Sequence, residues 1–337
     1  MNSIVNEKIN HPSAWKGIDI LKDDTWIYRL TNDEIEEIEM ALRHVQIKGF
    51  TLTDTTCDFT KEDFVLPKFS IKLNDFVQEI AEGRGFVLIK GLPVHKYTEV
   101  ESSIIFYALG LHMGTTVSQN AGGHLLGHVK SQGLSLKDTN VRGYQTTSHL
   151  PFHTDNGDTV GLLCLNKAKS GGHSTIVSAL AIYNVMLEKY PTYLGLLCQD
   201  FFIDRRGEEL PGESPLFRYP IFSSQDGLVT CKYVRGYIES AQLKTQARLP
   251  QTVIEALDIF DSLQRREDLR IDMDLEPGDM QFVSNYTVLH SRTEYEDYED
   301  SQKWRHLLRL WLNLPIERPL TESVKERRSG IPTKAAV

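Results

Sequence analysis

Hydrophobic and polar positions follow a helical periodicity in the first third of the chain. The segment LTNDEIEEIEMALRHV opens with Thr31 and has Glu34 three residues later, which predicts a capping box ahead of an amphipathic helix. FSIKLNDFVQEIAEG predicts a second helix that ends at Gly83, and YTEVESSIIFYALGLHMG predicts a third that ends near Gly110 or Gly114. Between these two, GRGFVLIKGLP is an apolar run of strand length bounded by glycines. We therefore expect a mostly helical first third with one core strand.

After residue 115 the pattern changes to short strand-like runs separated by Gly, Pro and Asn turns: TVGLLCLNK, STIVSA, FRYPIFSS, LVTCKYV, DMQFVSNYTVLH and WRHLLRLWLNL. Two helical segments, SALAIYNVMLEKYP and PQTVIEALDIFDSLQRRE, interrupt these runs. No internal repeat, low-complexity tract or Pro/Gly-rich linker marks a domain boundary. The pattern predicts one mainly β domain with α decorations, a sandwich or barrel whose helices pack outside.

The composition narrows the class of protein. With 337 residues, 40% of them hydrophobic, the chain can bury a sizeable core without disulfides. The net charge of −9 and the lack of a Lys/Arg block indicate that nucleic acid is not a partner. Four widely spaced cysteines without a Cys-x-x-Cys motif are expected to be reduced core residues. The sequence has no secretory-type start and no apolar segment of membrane-spanning length, so we expect a soluble, cytoplasmic protein without a membrane partner.

Metal-ligating residue types come together in HLPFHTDNGD, residues 149–158. On a strand, His153 and Asp155 point to the same face and reach one ion, although this triplet is also typical of a solvated strand end or turn. Downstream, LEPGDMQFVSNYTVLHSRTEYED runs from a turn through an apolar strand and presents His290 before a polar stretch. An isolated histidine in this position is often bonded to a backbone carbonyl. Two imidazoles and one carboxylate that leave other positions open suit Fe(II) in oxygen chemistry.

The motifs of the chain resemble the Fe(II)/2-oxoglutarate-dependent dioxygenases of the taurine dioxygenase and clavaminate synthase type, the TauD/TfdA family. Four blocks carry the resemblance in order: GFVLIKGLP, FHTDNGDTVGLLCLNKAKSGGHSTIVSA, LEPGDMQFVSNYTVLHSRTEYED and RHLLRLWLNLP. The resemblance implies a double-stranded β-helix, a jelly-roll barrel that holds iron in its mouth. It divides the chain into a helical N-terminal extension (1–84), a dioxygenase domain with helical insertions (85–316) and a polar C-terminal tail (317–337).

The resemblance also implies two cofactors, Fe(II) and 2-oxoglutarate, and the residues that hold them. The His-x-Asp pair and the later histidine match the iron ligands of the family. Arg305, in WRHLLRL, matches the arginine that grips the distal carboxylate of 2-oxoglutarate. A planar guanidinium forms two parallel hydrogen bonds with a carboxylate, which a lysine does not. The block SGGHSTIV supplies a hydroxyl for the same carboxylate, from Ser174 or from the adjacent Thr175.

The resemblance indicates where the substrate binds. Arg309 lies four residues after Arg305 on the same strand face, where relatives commonly hold an anionic group of the substrate. The alternative is a surface ion pair with the acidic run EYEDYED. His149 and Asn120 are expected to line the mouth of the site, although each is also typical of a structural turn. A small anionic or amino-acid-like substrate follows from this set of residues.

The implied activity is oxidation of a C–H bond of that substrate, by hydroxylation, desaturation or cyclisation, with release of succinate and CO2. Molecular oxygen is the co-substrate, and homo-oligomerisation is left open. Two other classes of protein use the same three ligands: a non-oxidative zinc hydrolase or lyase, and a non-catalytic metal-binding barrel. The first of these classes gives no role to the two arginines or to the Gly-Gly-x-Ser block.

Overall fold

Two β-sheets lie at the centre of the fold, which is known from a computed structural model that describes residues 5–134 and 143–334. In these residues the strands are β1 (Ile27–Arg29), β2 (Phe86–Lys90), β3 (Thr115–Thr116), β4 (Leu126–Val129), β5 (Leu150–His153), β6 (Thr159–Asn166), β7 (Ser170–Gly171), β8 (Ser174–Ser178), β9 (Asp200–Asp204), β10 (Leu216–Pro220), β11 (Phe222–Gln225), β12 (Leu228–Cys231), β13 (Arg270–Met273), β14 (Met280–Ser284), β15 (Val288–Arg292), β16 (Tyr295–Glu296) and β17 (His306–Asn313). The larger sheet has the order β1-β2-β14-β6-β17-β3, with β4 also paired to β17. The smaller sheet has the order β13-β8-β15-β5.

Helices cover the outer faces of both sheets. In the described residues they are α1 (Gly17–Ile20), α2 (Asn32–Lys48), α3 (Phe69–Ala81), α4 (Glu99–Met113), α5 (Ala179–Lys189), α6 (Pro191–Leu197), α7 (Arg235–Thr245), α8 (Gln251–Gln264) and α9 (Glu322–Lys325), with short 3-10 helices at Val94–Lys96, Gly143–Gln145, Ser301–Lys303 and Glu326–Ser329. Side chains of α2, α3 and α4 share one core with Leu308 and Leu310 of β17. Those of α5, α6 and α8 share a second core with Val177 of β8 and Leu289 of β15.

A third core fills the space between the two sheets. Ile176 and Val288 of the smaller sheet belong to the same buried cluster as Val160, Leu307 and Trp311 of the larger sheet. Because side chains alternate between the two faces of a strand, the odd-numbered residues of β17 face this inner space and the even-numbered residues face the helices. The inner space is therefore where polar residues of β8, β15 and β17 meet.

Most of the predicted elements are present, but two of the predicted strand-like runs are each divided into two strands. The run FRYPIFSS contains β10 and β11, which belong to different sheets. The capping box of Thr31 and Glu34 begins α2 as predicted, and the strand expected in GRGFVLIKGLP is β2. The apolar run DMQFVSNYTVLH is not one strand but two, β14 and β15, which belong to different sheets. The reason is Asn285, whose buried carboxamide donates a hydrogen bond to the Asn156 carbonyl at 2.8 Å and fixes a corner between the sheets. α7 and β9 are not predicted by the sequence pattern.

Segments outside the predicted dioxygenase domain also contribute to the fold. β1 pairs in parallel with β2 and extends the larger sheet, and Val324 and Ile331 near the C-terminus are buried. The domain boundaries at residues 84 and 316 stay a prediction.

The four cysteines are free, and three of them are buried. Among the helices of the described residues, none has the length and apolarity to cross a membrane. The compartment stays a prediction.

Candidate active site

Antiparallel pairing of β5 with β15 brings the two predicted histidine ligands together. His153, the last residue of β5, lies directly opposite His290 of β15. The centroids of their rings are 4.2 Å apart, and the ring planes are inclined at 48°. His153 Nδ1 lies 2.9 Å from the carbonyl oxygen of Pro151. When Nδ1–H donates to that carbonyl, the lone pair of Nε2 is left for a metal.

Asp155 reaches the same point because three contacts fix the chain after β5. The backbone N–H of Asp155 donates to Asn285 Oδ1 at 3.0 Å. The backbone N–H of Thr154 donates to the carbonyl of Tyr233 at 2.9 Å, and the ammonium group of Lys232 donates to the carbonyl of Asp155. The peptide groups on both sides of the aspartate are therefore held, which orients its carboxylate towards the two histidines.

The three side chains form an open set of donor atoms. Asp155 Oδ1 is 3.9 Å from His153 Nε2, Asp155 Oδ2 is 3.6 Å from His290 Nε2, and one ligand atom of each lies within 4.8 Å of the others. Two atoms that each lie about 2 Å from one ion, at right angles, are about 3 Å apart, so small rotations close the set. Asp155 Oδ2 is buried and accepts no hydrogen bond within the described residues. A buried carboxylate oxygen of this kind needs a cation, and the donor set fits a divalent metal.

The protonation states of these residues also suit a metal. Burial, with a contribution from His290, lowers the pKa of His153 to about 4. Burial acts to raise the pKa of Asp155, but His290, Arg309 and His153 outweigh burial and hold that pKa well below its ordinary value. Neutral imidazole and ionised carboxylate are the forms that bind metals, so no proton has to leave His153 or Asp155 at neutral pH.

A cavity of about 320 Å³, the main cavity, opens beside the donor set. His153 and Asp155 line it together with His149, which is exposed. Its charged lining comprises two carboxylates and five cations: Asp155, Glu208, Arg206, Lys232, Arg235, Arg309 and Arg327. Arg235 is ion-paired with Glu239, Asp258 and Asp261. The remaining cations of the lining still outnumber its carboxylates, which favours an anionic ligand.

Arg309 is on β17 of the larger sheet and lines the main cavity. Its side chain is buried, and its Cζ lies 5.0 Å from the ring centroid of Trp311. Arg309 Nε donates to Gln119 Oε1 at 2.7 Å, and Gln119 Nε2 donates to the carbonyls of Leu125 and Arg309 at 2.9 Å each. The amide of Gln119 thus fixes the direction of the guanidinium.

A second cationic region surrounds Tyr295. The Cζ atoms of Arg292 and Arg305 lie 4.7 and 5.2 Å from its ring centroid. Arg292 donates to the carbonyl of Ser148, and Arg305 donates to the carbonyl of Gly172 at 3.5 Å. Arg292 Nε and Nη1 and Arg305 Nη1 are buried and have no acceptor among the residues that the structure describes. Two buried guanidinium groups with unused donors form a site that fits an anion.

Ser174 faces this region and Thr175 does not. Ser174 lies opposite Arg292 in the pairing of β8 with β15, so the two side chains share one face. The Ser174 hydroxyl donates to Gln281 Oε1 at 2.9 Å. Thr175 points to the opposite face, where its hydroxyl donates to Asp272 Oδ1 at 2.8 Å. Of the two hydroxyls that the sequence offers, the geometry favours Ser174 as the contact to a bound anion.

Asn120 occupies a turn outside the main cavity. Its Oδ1 accepts hydrogen bonds from the backbone N–H groups of Gly122 at 2.9 Å and His124 at 3.3 Å. It lines a second cavity, of about 450 Å³, that does not include the donor set. A substrate contact of Asn120 stays a prediction that this placement does not support.

Three residues of the site are missed by sequence reasoning, for different reasons. The sequence does carry a signal for Lys232, because a lysine inside an apolar run such as LVTCKYV is unusual for a core strand. Arg292 follows His290 at the spacing that shares a strand face, but its role depends on Tyr295 and on the other arginine nearby. Asn285 has no local signal, because its function is to hold a segment that lies far away in the sequence.

Comparison with known proteins finds one family and several similar chains. Residues 48–311 match the family model described as "Taurine catabolism dioxygenase TauD, TfdA family". FR-33289 synthase of Streptomyces rubellomurinus (strain ATCC 31215) is 34% identical over 339 residues, which cover 99% of both chains. The taurine hydroxylase-like protein SAT17 of Stachybotrys chartarum (strain CBS 109288 / IBT 7711) is 31% identical over 317 residues, covering 90% of this chain and 79% of the relative.

Solved structures show the same fold at low sequence identity. Asparagine oxygenase in complex with Fe(II), 2S,3S-3-hydroxyasparagine and succinate superposes with a TM-score of 0.66 at 16% identity, covering 86% of this chain and 93% of that chain. The non-heme iron oxygenase OrfP in complex with Fe and alpha-ketoglutaric acid gives a TM-score of 0.61 at 13% identity, with 85% and 94% covered. These likenesses confirm the predicted double-stranded β-helix.

We expect Lys232→Met to change how stability depends on pH. Burial, with a contribution from Arg327, lowers the pKa of Lys232 to about 7, whereas a lysine in the unfolded chain has a pKa of about 10.4. Between these values the unfolded state binds more protons, so the wild-type protein gains stability as the pH rises and loses it as the pH falls towards 7. The variant lacks this contribution.

The free energy of unfolding of the wild type minus that of Lys232→Met should therefore increase with pH, by up to about 1.4 kcal/mol per pH unit. Urea unfolding of both metal-free proteins at several pH values between neutral and the lysine range measures this difference. Titrating groups that do not interact with Lys232 are common to both chains and cancel. A difference that is constant with pH would show that the native ammonium group titrates as in water.

Proposed function

Because the chain belongs to the taurine catabolism dioxygenase TauD, TfdA family, we propose that it oxidises a C–H bond of a small anionic substrate at a site where His153, Asp155 and His290 hold Fe(II). The protein is a 2-oxoglutarate-dependent non-haem iron dioxygenase, and its cofactors are Fe(II) and 2-oxoglutarate. The observation that carries the proposal is the open three-donor set beside two cationic regions. A zinc hydrolase or lyase, or a non-catalytic metal-binding barrel, would explain neither the membership of a dioxygenase family nor the two cationic regions.

The balance of the reaction gives each region its task. When bound, Fe(II) and 2-oxoglutarate activate molecular oxygen: the cofactor loses CO2 and becomes succinate with one oxygen atom, and the second oxygen atom oxidises the substrate. The protein's residues have to bind both organic molecules, hold one C–H bond in place and exclude water. Hydroxylation, desaturation and cyclisation share these requirements.

The region around Tyr295 is the part of the site that we assign to 2-oxoglutarate. Arg305 and Arg292 supply buried N–H donors without an acceptor, and Ser174 supplies a hydroxyl on the same inner face. A carboxylate satisfies a guanidinium through two charge-assisted hydrogen bonds. Tyr295 is buried, and its ring lies close to both guanidinium groups. None of the three polar residues lines the main cavity, so the cofactor carboxylate would lie apart from the substrate.

The main cavity is the part that we assign to the substrate. Arg309 and Lys232 are both buried, and both reach the cavity that His153 and Asp155 line. A substrate anion held by these cations would lie beside the iron ligands, which is the placement that C–H oxidation requires. His149 lines the same cavity and is exposed, which places it among the candidate substrate contacts.

Alanine in place of His153, Asp155 or His290 should abolish Fe(II) binding at this site without unfolding the protein. Each change opens a three-donor site but leaves the cores of the barrel intact. Anaerobic Fe(II) titration measures binding, and thermal melting followed by circular dichroism measures the fold. His149→Ala is the matched control, because it removes a histidine from the same cavity and should leave Fe(II) affinity unchanged. Wild-type affinity in all three alanine variants would contradict the metal assignment.

Arg305→Lys should raise the KM for 2-oxoglutarate roughly ten- to a hundred-fold while changing the KM for the substrate little. A point charge replaces a bidentate fork, at a cost on the order of 1–3 kcal/mol. Arg292→Lys should raise the same constant, since its donors face the same anion. Steady-state succinate release at varied 2-oxoglutarate measures both variants. An unchanged cofactor KM in both would move the anchor elsewhere, with Arg309 the next candidate.

Arg309→Ala should impair substrate oxidation while 2-oxoglutarate binding stays near normal, and succinate release should continue uncoupled from substrate loss. A loosely held substrate misplaces its C–H bond, and small misplacements are costly in a reaction that relies on positioning. A screen of small anionic metabolites by succinate release identifies a substrate, and succinate and remaining substrate are then measured side by side. Equal loss of both would assign Arg309 to the cofactor or to the fold.

A further inference from the structure

A second group of metal-ligating side chains lies on the other face of β17. His128 of β4 and His306, the first residue of β17, occupy the face that α4 covers, since Leu308 pairs with His128 and belongs to the core under α4. Glu99 is the first residue of α4 and follows the N-cap Thr98, whose capping box fixes the start of the helix. The larger sheet therefore separates this group from the iron ligands.

Side chains from three different elements converge in this group. His128 Nδ1 is 2.8 Å from His306 Nε2. The carboxylate of Glu99 lies 3.6 Å from Nδ1 of each ring, and one ligand atom of each residue lies within 4.8 Å of the others. Two nitrogens bound to one tetrahedral Zn²⁺ at about 2 Å are about 3.3 Å apart. The two rings would need to separate by only about half an ångström to share an ion.

Asp54 adds an arrangement that is typical of metal-bound histidines. Its Oδ1 lies 3.2 Å from His128 Nε2, the ring nitrogen that does not contact His306. A carboxylate that accepts the far N–H of an imidazole fixes the ring orientation and strengthens the other nitrogen as a ligand. His306 is buried. The second cavity, lined by Asp54, Glu99 and His128, gives access to an ion.

We propose that Glu99, His128 and His306 form a second metal site, separate from the iron site, that binds a divalent transition metal such as Zn²⁺. Two imidazoles and one carboxylate are ligands that Zn²⁺ takes, and the cavity leaves a fourth position for water. The ion would join the start of α4 and the strand β4 to the first residue of β17. Because Arg305 immediately precedes His306, a metal here would also restrict the arginine that we assign to 2-oxoglutarate.

Zinc stoichiometry tests this site. Full-length protein is stripped of metal and dialysed against low-micromolar Zn²⁺, and its metal content is measured by mass spectrometry. We expect two Zn²⁺ per wild-type chain, because Zn²⁺ also fills the iron site, one in His290→Ala, and none in His290→Ala combined with His128→Gln. Glu99→Gln in the His290→Ala background alters a side chain that is 54% exposed. This double variant should therefore fold normally and also bind no Zn²⁺. Asp54→Asn should lower the Zn²⁺ affinity of the second site roughly ten- to a hundred-fold.

His124→Ala in the His290→Ala background is the matched control. Its Nδ1 lies 3.8 Å from Asp54 in the same cavity, but it is not one of the three ligands, so one Zn²⁺ should remain. No Zn²⁺ in His290→Ala, or one Zn²⁺ in both the His128→Gln and Glu99→Gln double variants, would overturn the second site. Equal zinc content in the wild type and His290→Ala would instead contradict the iron ligand assignment, so the two proposals fail separately.

Discussion

Pairing of β5 with β15 sets His153 opposite His290, and the remainder of the site is arranged around that register. A slip of one residue would turn His290 to the outer face of the smaller sheet, where the neighbouring Leu289 now packs beneath the helices. The second partner of β15, strand β8, resists such a slip by pairing Ile176 with His290. Asn285 adds a further restraint, since it forms the corner before β15 and also accepts the backbone N–H of Asp155. One residue therefore links the position of the second histidine to that of the carboxylate.

Buried cations are the second constraint, and the fold holds them without neutralising all of them. A buried donor without an acceptor costs about 1–3 kcal/mol, and Arg292 and Arg305 contribute three such nitrogens near Tyr295. Burial lowers the pKa of both guanidinium groups, to about 10 for Arg292. The lowered pKa reflects the same cost, because a buried cation without an acceptor binds its proton less tightly. An anion in this region would remove the penalty, so a site that is unfavourable when empty becomes selective for a carboxylate. The main cavity, which we assign to the substrate, is instead open to solvent, and cations outnumber carboxylates in its lining.

Local signals explain what could be predicted from the sequence. The capping box at Thr31, the apolar run of β2 and the His-x-Asp spacing each lie within a few residues, so short patterns were sufficient. Features that depend on register or on distant segments were not accessible in this way. The choice between Ser174 and Thr175 requires the pairing of β8 with β15, and the corner at Asn285 requires a partner about 130 residues away. The cluster of Glu99, His128 and His306 comes from three separate elements, none of which carries a metal motif alone.

The two faces of β17 connect these regions. Arg309 faces the inner space, whereas His306 lies on the face towards α4, so one strand carries both the arginine that we assign to the substrate and a residue of the proposed second metal site. Four residues of extended chain span at most about 13 Å, which limits the distance between the backbones of Arg305 and Arg309. With Arg305 on the cofactor and Arg309 on the substrate, the strand would act as a spacer that keeps the two anions apart. A substrate whose anionic group is close to its reactive carbon then suits the site better than a long one, because Arg309 lies near the metal ligands Asp155 and His153.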